Sequence, residues 1–288
     1  MKNAEISDPI FLQAVEAIDA GDISMLEDLI NVHPRLVTDP LSRPSGDYFK
    51  NPYLLWFVAD NPIRVPALPA NIVEVTRTLV KSVKLLAGTN TQHQLNYTLA
   101  LVASGRIPKE CGVQLQMIDL LIDEGATPGT AWAALTHGNI DAAKRIIERG
   151  GKLNLVTAVG LDDMEATKRL FASAPGDDKL VAVQCAAFFG NASMLHFLIN
   201  AGAPFNDYTP KSSGFHTHST PLHQAVYSGS LESVKILVEA GAKLNAADKA
   251  FGGTPLGWAM YMQDEESPDE EARKRYKVIE EYLKSVGG

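Results

Sequence analysis

The sequence is poor in features that mark several large classes of protein. It has only two cysteines, Cys111 and Cys185, far apart in 288 residues, so no disulfide framework is expected. No apolar run approaches the roughly 20 residues needed to cross a bilayer. The first residues also lack the apolar segment and small-residue cleavage site of a signal peptide. We therefore expect a cytoplasmic protein that does not bind membranes.

Positive charge is also scarce. The chain carries 26 Lys and Arg against 34 Asp and Glu, for a net charge of -8. A nucleic-acid-binding protein needs a basic stripe to neutralise phosphates, and docking on anionic lipid needs a similar excess of cations. Apolar residues make up 45% of the chain, which is ordinary for a folded globular protein. The composition thus favours a folded protein whose partner is neither nucleic acid nor membrane.

Catalytic signatures are missing as well. The chain contains no Gly-x-Ser-x-Gly, no Gly-x-x-x-x-Gly-Lys-Ser/Thr and no His-Glu-x-x-His, the patterns that place a nucleophile, a phosphate-binding loop or a zinc site. The sequence offers no paired nucleophile and base. We expect no enzyme and no cofactor, and an enzyme with an unusual site remains a minor alternative.

What the sequence does contain is an internal repeat. The clearest unit runs from Thr220-Pro-Leu-His through Gly229 to Gly241-Ala242, and a second copy opens at Thr254-Pro-Leu. Weaker copies share an alanine, a glycine four residues later, and an amphipathic stretch after it. These alanine–glycine pairs are Ala17 and Gly21, Ala134 and Gly138, Ala186 and Gly190, and Ala225 and Gly229.

The 220–242 unit predicts two short helices. Thr220 is a suitable N-cap, and proline fits the first helical position, where its missing N–H is not needed. Gly229 permits a tight reversal into a second helix with apolar residues at helical spacing, and Gly241 suits the left-handed position that ends it. Neither helix can bury its apolar stripe alone, so neighbouring units must stack.

This unit, Thr-Pro-Leu-His-x-Ala…Gly-x-Leu-Glu…Leu-Val-x-x-Gly-Ala, resembles the ankyrin repeat, whose period is about 33 residues. The arrangement of the chain is similar to bacterial multi-ankyrin proteins of unassigned function. The resemblance implies an all-α solenoid of about eight helix-turn-helix units, some lacking the β-hairpin finger. It also implies one domain over residues 1–288, with an N-cap unit at about 8–38 and a C-terminal cap unit at about 254–288. A monomeric, non-catalytic scaffold that binds a protein partner is the expected function.

Aromatic residues recur just before the turn glycines, where the repeat frame points side chains into the concave groove. Exposed aromatic residues of this kind are typical partner anchors. The alternative is that these rings fill the seam between repeats as core. The candidates for partner binding are Phe188, Phe189, Tyr227, Ser228, Trp258 and Tyr261.

The long loop at 204–219 is the second candidate binding element, through Phe215, His216 and His218. Together with His223, its two histidines would in principle ligate zinc or nickel, which makes a metal- or small-ligand-binding protein the alternative function. No cysteine or carboxylate stands beside them, so we favour a structural role and predict no metal. The resemblance to the ankyrin repeat makes His223 the histidine of Thr-Pro-Leu-His. The side chain of that histidine typically hydrogen-bonds the threonine and the loop backbone.

An acidic stretch, residues 264–271, precedes the last helix. Such a run would steer a basic partner towards the protein, but it is more often a solvated loop, which is the interpretation we favour.

Overall fold

The computed structural model describes residues 3–43, 48–264 and 269–288. Its helices fall into two compact units, Met1–Lys152 and Leu153–Gly288, and each is described on its own. The described residues contain no β-strand, and none of their helices combines the length and apolarity that a bilayer crossing requires. Residues 265–268 of the acidic stretch lie outside the described residues.

The described part of the first unit consists of helix pairs. They are α1 (Pro9–Ala20) with α2 (Ile23–Val32), the 3-10 helix Leu54–Ala59 with α4 (Ile72–Leu86), α5 (Thr91–Ser104) with α7 (Gln114–Asp123), and α8 (Trp132–Leu135) with α9 (Ile140–Glu148). Two short helices lie outside these pairings: α3 (Arg35–Thr38) follows the first pair, and α6 (Arg106–Glu110) lies in the connection between α5 and α7. First helices contact first helices of the next pair, and second helices contact second helices.

The second unit repeats this arrangement. Its pairs are α10 (Leu155–Gly160) with α11 (Met164–Phe171), α12 (Gly176–Phe188) with α13 (Ala192–Asn200), α14 (Pro221–Tyr227) with α15 (Leu231–Glu239), and α16 (Pro255–Asp264) with α17 (Glu270–Ser285). The first helices of successive pairs pack in one row. The predicted all-α fold of about eight helix-turn-helix units is thus confirmed for the described residues.

One short turn joins the two helices of several pairs. At its centre is a residue with left-handed backbone, such as Gly190 (φ 62°) or Gly229 (φ 70°), and in the α10–α11 pair this is Asp162 (φ 58°) rather than a glycine. The residue that follows caps the second helix: Asn191 accepts from Met194 N–H at 3.1 Å. Asp22, Asp163 and Ser230 do the same in their pairs. Each cap satisfies an amide that has no partner within the helix.

Alanines at one repeat position explain how closely the first helices pack. Ala158, Ala186, Ala225 and Ala259 stand at this position in the four pairs of the second unit, and all are 0% exposed. A methyl side chain lets neighbouring helices approach closely, and a larger one would have to displace packed neighbours.

The insertion at 61–69 in the first unit is held by a buried arginine. Arg64, with a side chain 2% exposed, pairs with Asp19 at 2.8 Å and with Asp60 at 3.3 Å, and it donates to Phe57 O at 3.2 Å. Burial raises the pKa of Asp60 more than the neighbouring Arg64 lowers it. Removing the arginine would leave Asp60 buried without its counter-charge, which is costly.

At the start of the second pair, Asn51 followed by Pro52 is a pattern typical of an N-cap and a first helical residue. The 3-10 helix starts at Leu54 instead. Asn51 has left-handed backbone (φ 45°), and its Oδ1 accepts the N–H of Arg43 at 2.8 Å. The side chain therefore ties the preceding segment to this pair and does not cap the helix.

Candidate partner-binding surface

The start of α14 is fixed by His223. Its Nδ1 accepts the N–H of Thr220 at 3.2 Å and lies 2.8 Å from the Thr220 hydroxyl, while Nε2 lies 3.0 Å from Gly253 O. Burial lowers the pKa of His223 more than its hydrogen bond to Gly253 raises it. The side chain is a neutral imidazole that donates through Nε2, and both ring nitrogens are occupied by protein groups.

The other two histidines of the metal alternative do not join His223 in a ligand set. The His216 and His218 rings lie 5.8 Å apart, and His216 Nδ1 lies 3.1 Å from Gln224 Nε2. Within residues 3–43, 48–264 and 269–288, no three His, Cys, Asp or Glu side chains are placed to hold a metal ion. His216 and His218 instead contact one another, and His216 contacts Gln224.

The two aromatic residues expected before the turn glycines do meet. The Phe188 and Tyr227 rings stack, with centroids 5.8 Å apart and an interplanar angle of 16°. Tyr227 is 37% exposed, whereas Phe188 is half-buried. Phe189 is also half-buried and meets the Phe188 ring edge-on at 5.0 Å. Stacking fixes the orientation of an exposed ring, which lowers the entropy it loses when a partner covers it.

This pair continues into a longer chain of rings. His216 packs edge-on against Tyr227 at 5.1 Å and approaches Trp258 at 6.5 Å, and His218 lies 5.9 Å from Trp258. His218 also contacts Phe251 edge-on at 5.9 Å. We call this set the aromatic ribbon: Phe188, Tyr227, His216, Trp258, His218 and Phe251. It joins α12, α14 and α16 to the two loops that precede α14 and α16.

Phe251 is the residue that sequence reasoning missed. Its side chain is 86% exposed at the tip of the loop before α16. An isolated exposed phenylalanine needs no explanation, but this one ends a continuous row of ring contacts. The signal in the sequence was weak, because Phe251 stands in a loop outside the repeat motif.

Asp248 positions that end of the aromatic ribbon. Its Oδ1 accepts the N–H groups of Ala250 at 2.9 Å and Phe251 at 2.7 Å, and its Oδ2 accepts Gly253 N–H at 2.8 Å and Trp258 Nε1 at 3.1 Å. Burial raises the pKa of Asp248, but these four donors outweigh it and lower the pKa to about 2. One buried carboxylate therefore orients both the Phe251 loop and the Trp258 indole.

Phe215 differs from the expectation that it contacts a partner. Its side chain is only 1% exposed, and its ring packs edge-on behind Phe188 at 5.5 Å. Gln184 Nε2 donates to Phe215 O at 3.2 Å. The loop turns this ring towards the protein interior, where it is shielded from water. Phe215 therefore lies behind Phe188 and supports the aromatic ribbon.

The remaining candidates lie close by. Tyr261 is 55% exposed on α16. The Ser228 hydroxyl donates to Ala225 O at 2.8 Å and accepts Ser230 N–H at 3.3 Å, which makes it part of the turn. Tyr276 donates its hydroxyl to Tyr227 O at 2.9 Å and fixes the backbone beneath the stacked pair.

The two cysteines lie in different environments. Cys185 is fully buried, and burial raises the pKa of its thiol. Cys111 is half-buried and its Sγ lies 3.4 Å from Leu68 N. A thiolate is the reactive form of cysteine, and Cys185 is held in its protonated form.

One family model matches part of the chain. The family model described as "Ankyrin repeats (3 copies)" matches residues 132–248 and 182–267. A search of curated proteins found no significant match.

Two solved structures are similar to the chain. The human ASB11 ankyrin repeat domain is 15% identical, with 94% of this chain and 97% of that chain covered and a TM-score of 0.35. An ankyrin repeat domain from Acinetobacter baumannii AYE is 23% identical, with 66% of this chain and 98% of that chain covered and a TM-score of 0.36. Because both TM-scores are low, these two similarities add nothing to the match of the family model to residues 132–248 and 182–267.

Proposed function

Because residues 132–267 of this chain are ankyrin repeats, we propose that it is a non-catalytic scaffold that binds a protein partner through the aromatic ribbon. Ankyrin repeats generally mediate protein–protein interactions. The observation that carries the proposal is the unbroken row of ring contacts that ends in Phe251, 86% exposed, with Tyr227 37% exposed and Tyr261 55% exposed nearby.

Energetic considerations agree with this role. Partner affinity is dominated by a few aromatic and arginine side chains that become fully covered. The rings of the aromatic ribbon are fixed by one another and by Asp248 before a partner arrives, so little side-chain entropy is lost on binding. We propose that the loop at 204–219 contributes through His216 and His218, with Phe215 packed behind Phe188.

The test compares ring removal with a control. The double variant Tyr227→Ala and Tyr261→Ala should stay folded and bind its partner with about tenfold lower affinity, a loss of roughly 1.4 kcal/mol of binding free energy. Leu85→Ala, which removes an 80% exposed apolar side chain in the first unit, is the matched control.

Proteins retained by immobilised wild-type chain would be identified by mass spectrometry and titrated against each variant. Unfolding midpoints would be measured in parallel. Equal retention by the wild type and the double variant would exclude these rings as anchors. A large loss of stability in the double variant would show that the rings are core.

A further inference from the structure

This inference rests on the proposed function and concerns the chemistry of the partner. Two exposed cations flank the aromatic ribbon, Lys249 at the Phe251 end and Arg275 at the Tyr227 end. The chain as a whole has a net charge of -8, so two cations beside one apolar surface distinguish that surface from the rest of the protein. They affect the charge of the partner that the surface attracts.

Lys249 is held close to Phe251. Its N–H donates to His218 O at 2.7 Å, so the backbone of this residue is tied to the aromatic ribbon. Its Nζ lies 3.7 Å from the centroid of the Tyr208 ring, a cation–π contact that leaves the ammonium on the surface. Within the described residues, Lys249 makes no ion pair.

Arg275 lies at the opposite end, against the turn that follows Tyr227. A Cβ built on Gly229 would stand 3.6 Å from Arg275 Nε and 3.7 Å from the Tyr276 hydroxyl, which itself donates to Tyr227 O. Arg275 is exposed and has no carboxylate partner in the part of the chain that the structure describes. Its planar guanidinium is suited to bidentate pairing with a carboxylate.

Carboxylates near the aromatic ribbon differ in how far they offset the positive charge of Lys249 and Arg275. Asp248 is buried and bonded to four donors, and Asp162 accepts from Asn191 Nδ2 at 2.7 Å. Asp207, next to Tyr208 in the long loop, is exposed. It therefore reduces the attraction of the Lys249 end for a negative ligand. The exposed Glu271, one helical turn before Arg275 on α17, does the same at the other end.

We infer that the aromatic ribbon takes an acidic peptide segment, whose carboxylates pair with Lys249 and Arg275 and whose apolar side chains cover Tyr227 and Phe251. Apolar burial between the cations supplies affinity, and the flanking charges supply selectivity and a faster association rate. A basic segment would place like charges together at both ends of the surface, which disfavours it.

The experiment uses a phage-displayed library of random 12-residue peptides, selected against the full chain. Enriched peptides should carry more Asp and Glu than Lys and Arg, together with aromatic or aliphatic residues. The best peptide is then synthesised with a fluorophore and titrated by anisotropy.

Variants separate charge at the ends from charge in general. Lys249→Ala and Arg275→Ala should each weaken peptide binding about three- to tenfold, and Asp207→Asn should tighten it about twofold. Arg273→Ala removes an exposed cation two residues along α17, on a different face of that helix, and should change affinity less than about twofold. Raising the salt from about 0.05 to 0.5 M should weaken binding by wild type more than by Lys249→Ala.

The outcomes also separate this inference from the proposed function. If the selected peptides are neutral or basic and bind Phe251→Ala more weakly than wild type, the inference of an acidic partner is refuted. The aromatic ribbon would still be a binding surface. An Arg273→Ala loss equal to that of Arg275→Ala would likewise refute specific pairing at the ends. Selection of no peptide, or of peptides indifferent to both Phe251→Ala and Tyr227→Ala, would refute the proposed function itself.

Discussion

Replacing Asp248 by asparagine should both destabilise the second unit and loosen the Phe251 end of the aromatic ribbon. An asparagine keeps one carbonyl oxygen for the amides of Ala250 and Phe251. Its NH₂ group would then face the Gly253 N–H and the Trp258 indole N–H, which are both donors. Two hydrogen bonds are lost, and two donors on half-buried residues remain without an acceptor in the protein.

The size of the effect follows from the pKa of Asp248. It falls from 3.8 to about 2 in the folded chain, a difference worth about 2 kcal/mol in favour of the ionised form. Because the pKa is lowered on folding, this stability is present above pH 4 and is lost as the pH falls towards 2. By pH 3 roughly 1 kcal/mol of it should be gone. Asp248→Asn should lack this contribution at every pH.

The measurement is urea unfolding followed through tryptophan. The chain has three tryptophans, of which only Trp258 lies in the second unit, so ¹⁵N-indole labelling gives three signals and Trp258→Phe assigns the relevant one. Asp207→Asn, which removes an exposed carboxylate from the neighbouring loop, should change the unfolding free energy by less than about 0.5 kcal/mol. Equal stability of wild type and Asp248→Asn at pH 7 would refute the reasoning. A difference that does not shrink between pH 5 and pH 3 would refute it too.

Three further predictions concern the core. Ala225→Leu should lower the unfolding free energy by roughly 1–3 kcal/mol, since a leucine does not fit between the closely packed first helices; unchanged stability in urea would count against that packing. Arg64→Met should cost about 3–5 kcal/mol because Asp60 stays buried without its counter-charge, and adding Asp60→Asn should recover part of it, as calorimetry of both variants would measure. The lowered pKa of His223 means that the folded chain disfavours its charged form. The stability that neutral His223 contributes is therefore fully present above its unfolded-state pKa of 6.5 and declines as the pH falls below that value. His223→Gln should lose less stability than the wild type between pH 7 and 5. Parallel plots of unfolding free energy against pH for the two proteins would contradict this.

Much of the fold could be predicted because residues close together in the sequence determine where each helix of a repeat begins and ends. Thr220 and Pro221 begin a helix, and Gly229 takes the left-handed backbone of the turn. The turn in the α10–α11 pair is harder to find, since Asp162 fills the glycine position. Asparagine and aspartate tolerate this conformation, so a pattern that requires glycine places the turn wrongly.

The candidate site was only partly predictable. The repeat frame put Phe188 and Tyr227 side by side, and they do stack. It offered no means of placing the long loop, where Phe215 turns inward. The importance of Phe251 depends on Asp248 and His218, which stand outside the repeat motif.

The sequence by itself determined the helix pairs, their turns and the small residues between them, because caps, turns and close contacts depend on residues a few positions apart. Only the tertiary structure decided which rings are exposed, how Asp248 draws the Phe251 loop to Trp258, and where Lys249 and Arg275 lie around them. Those relations join residues from different repeats and loops, and their geometry is fixed by packing and by which buried polar groups find a partner.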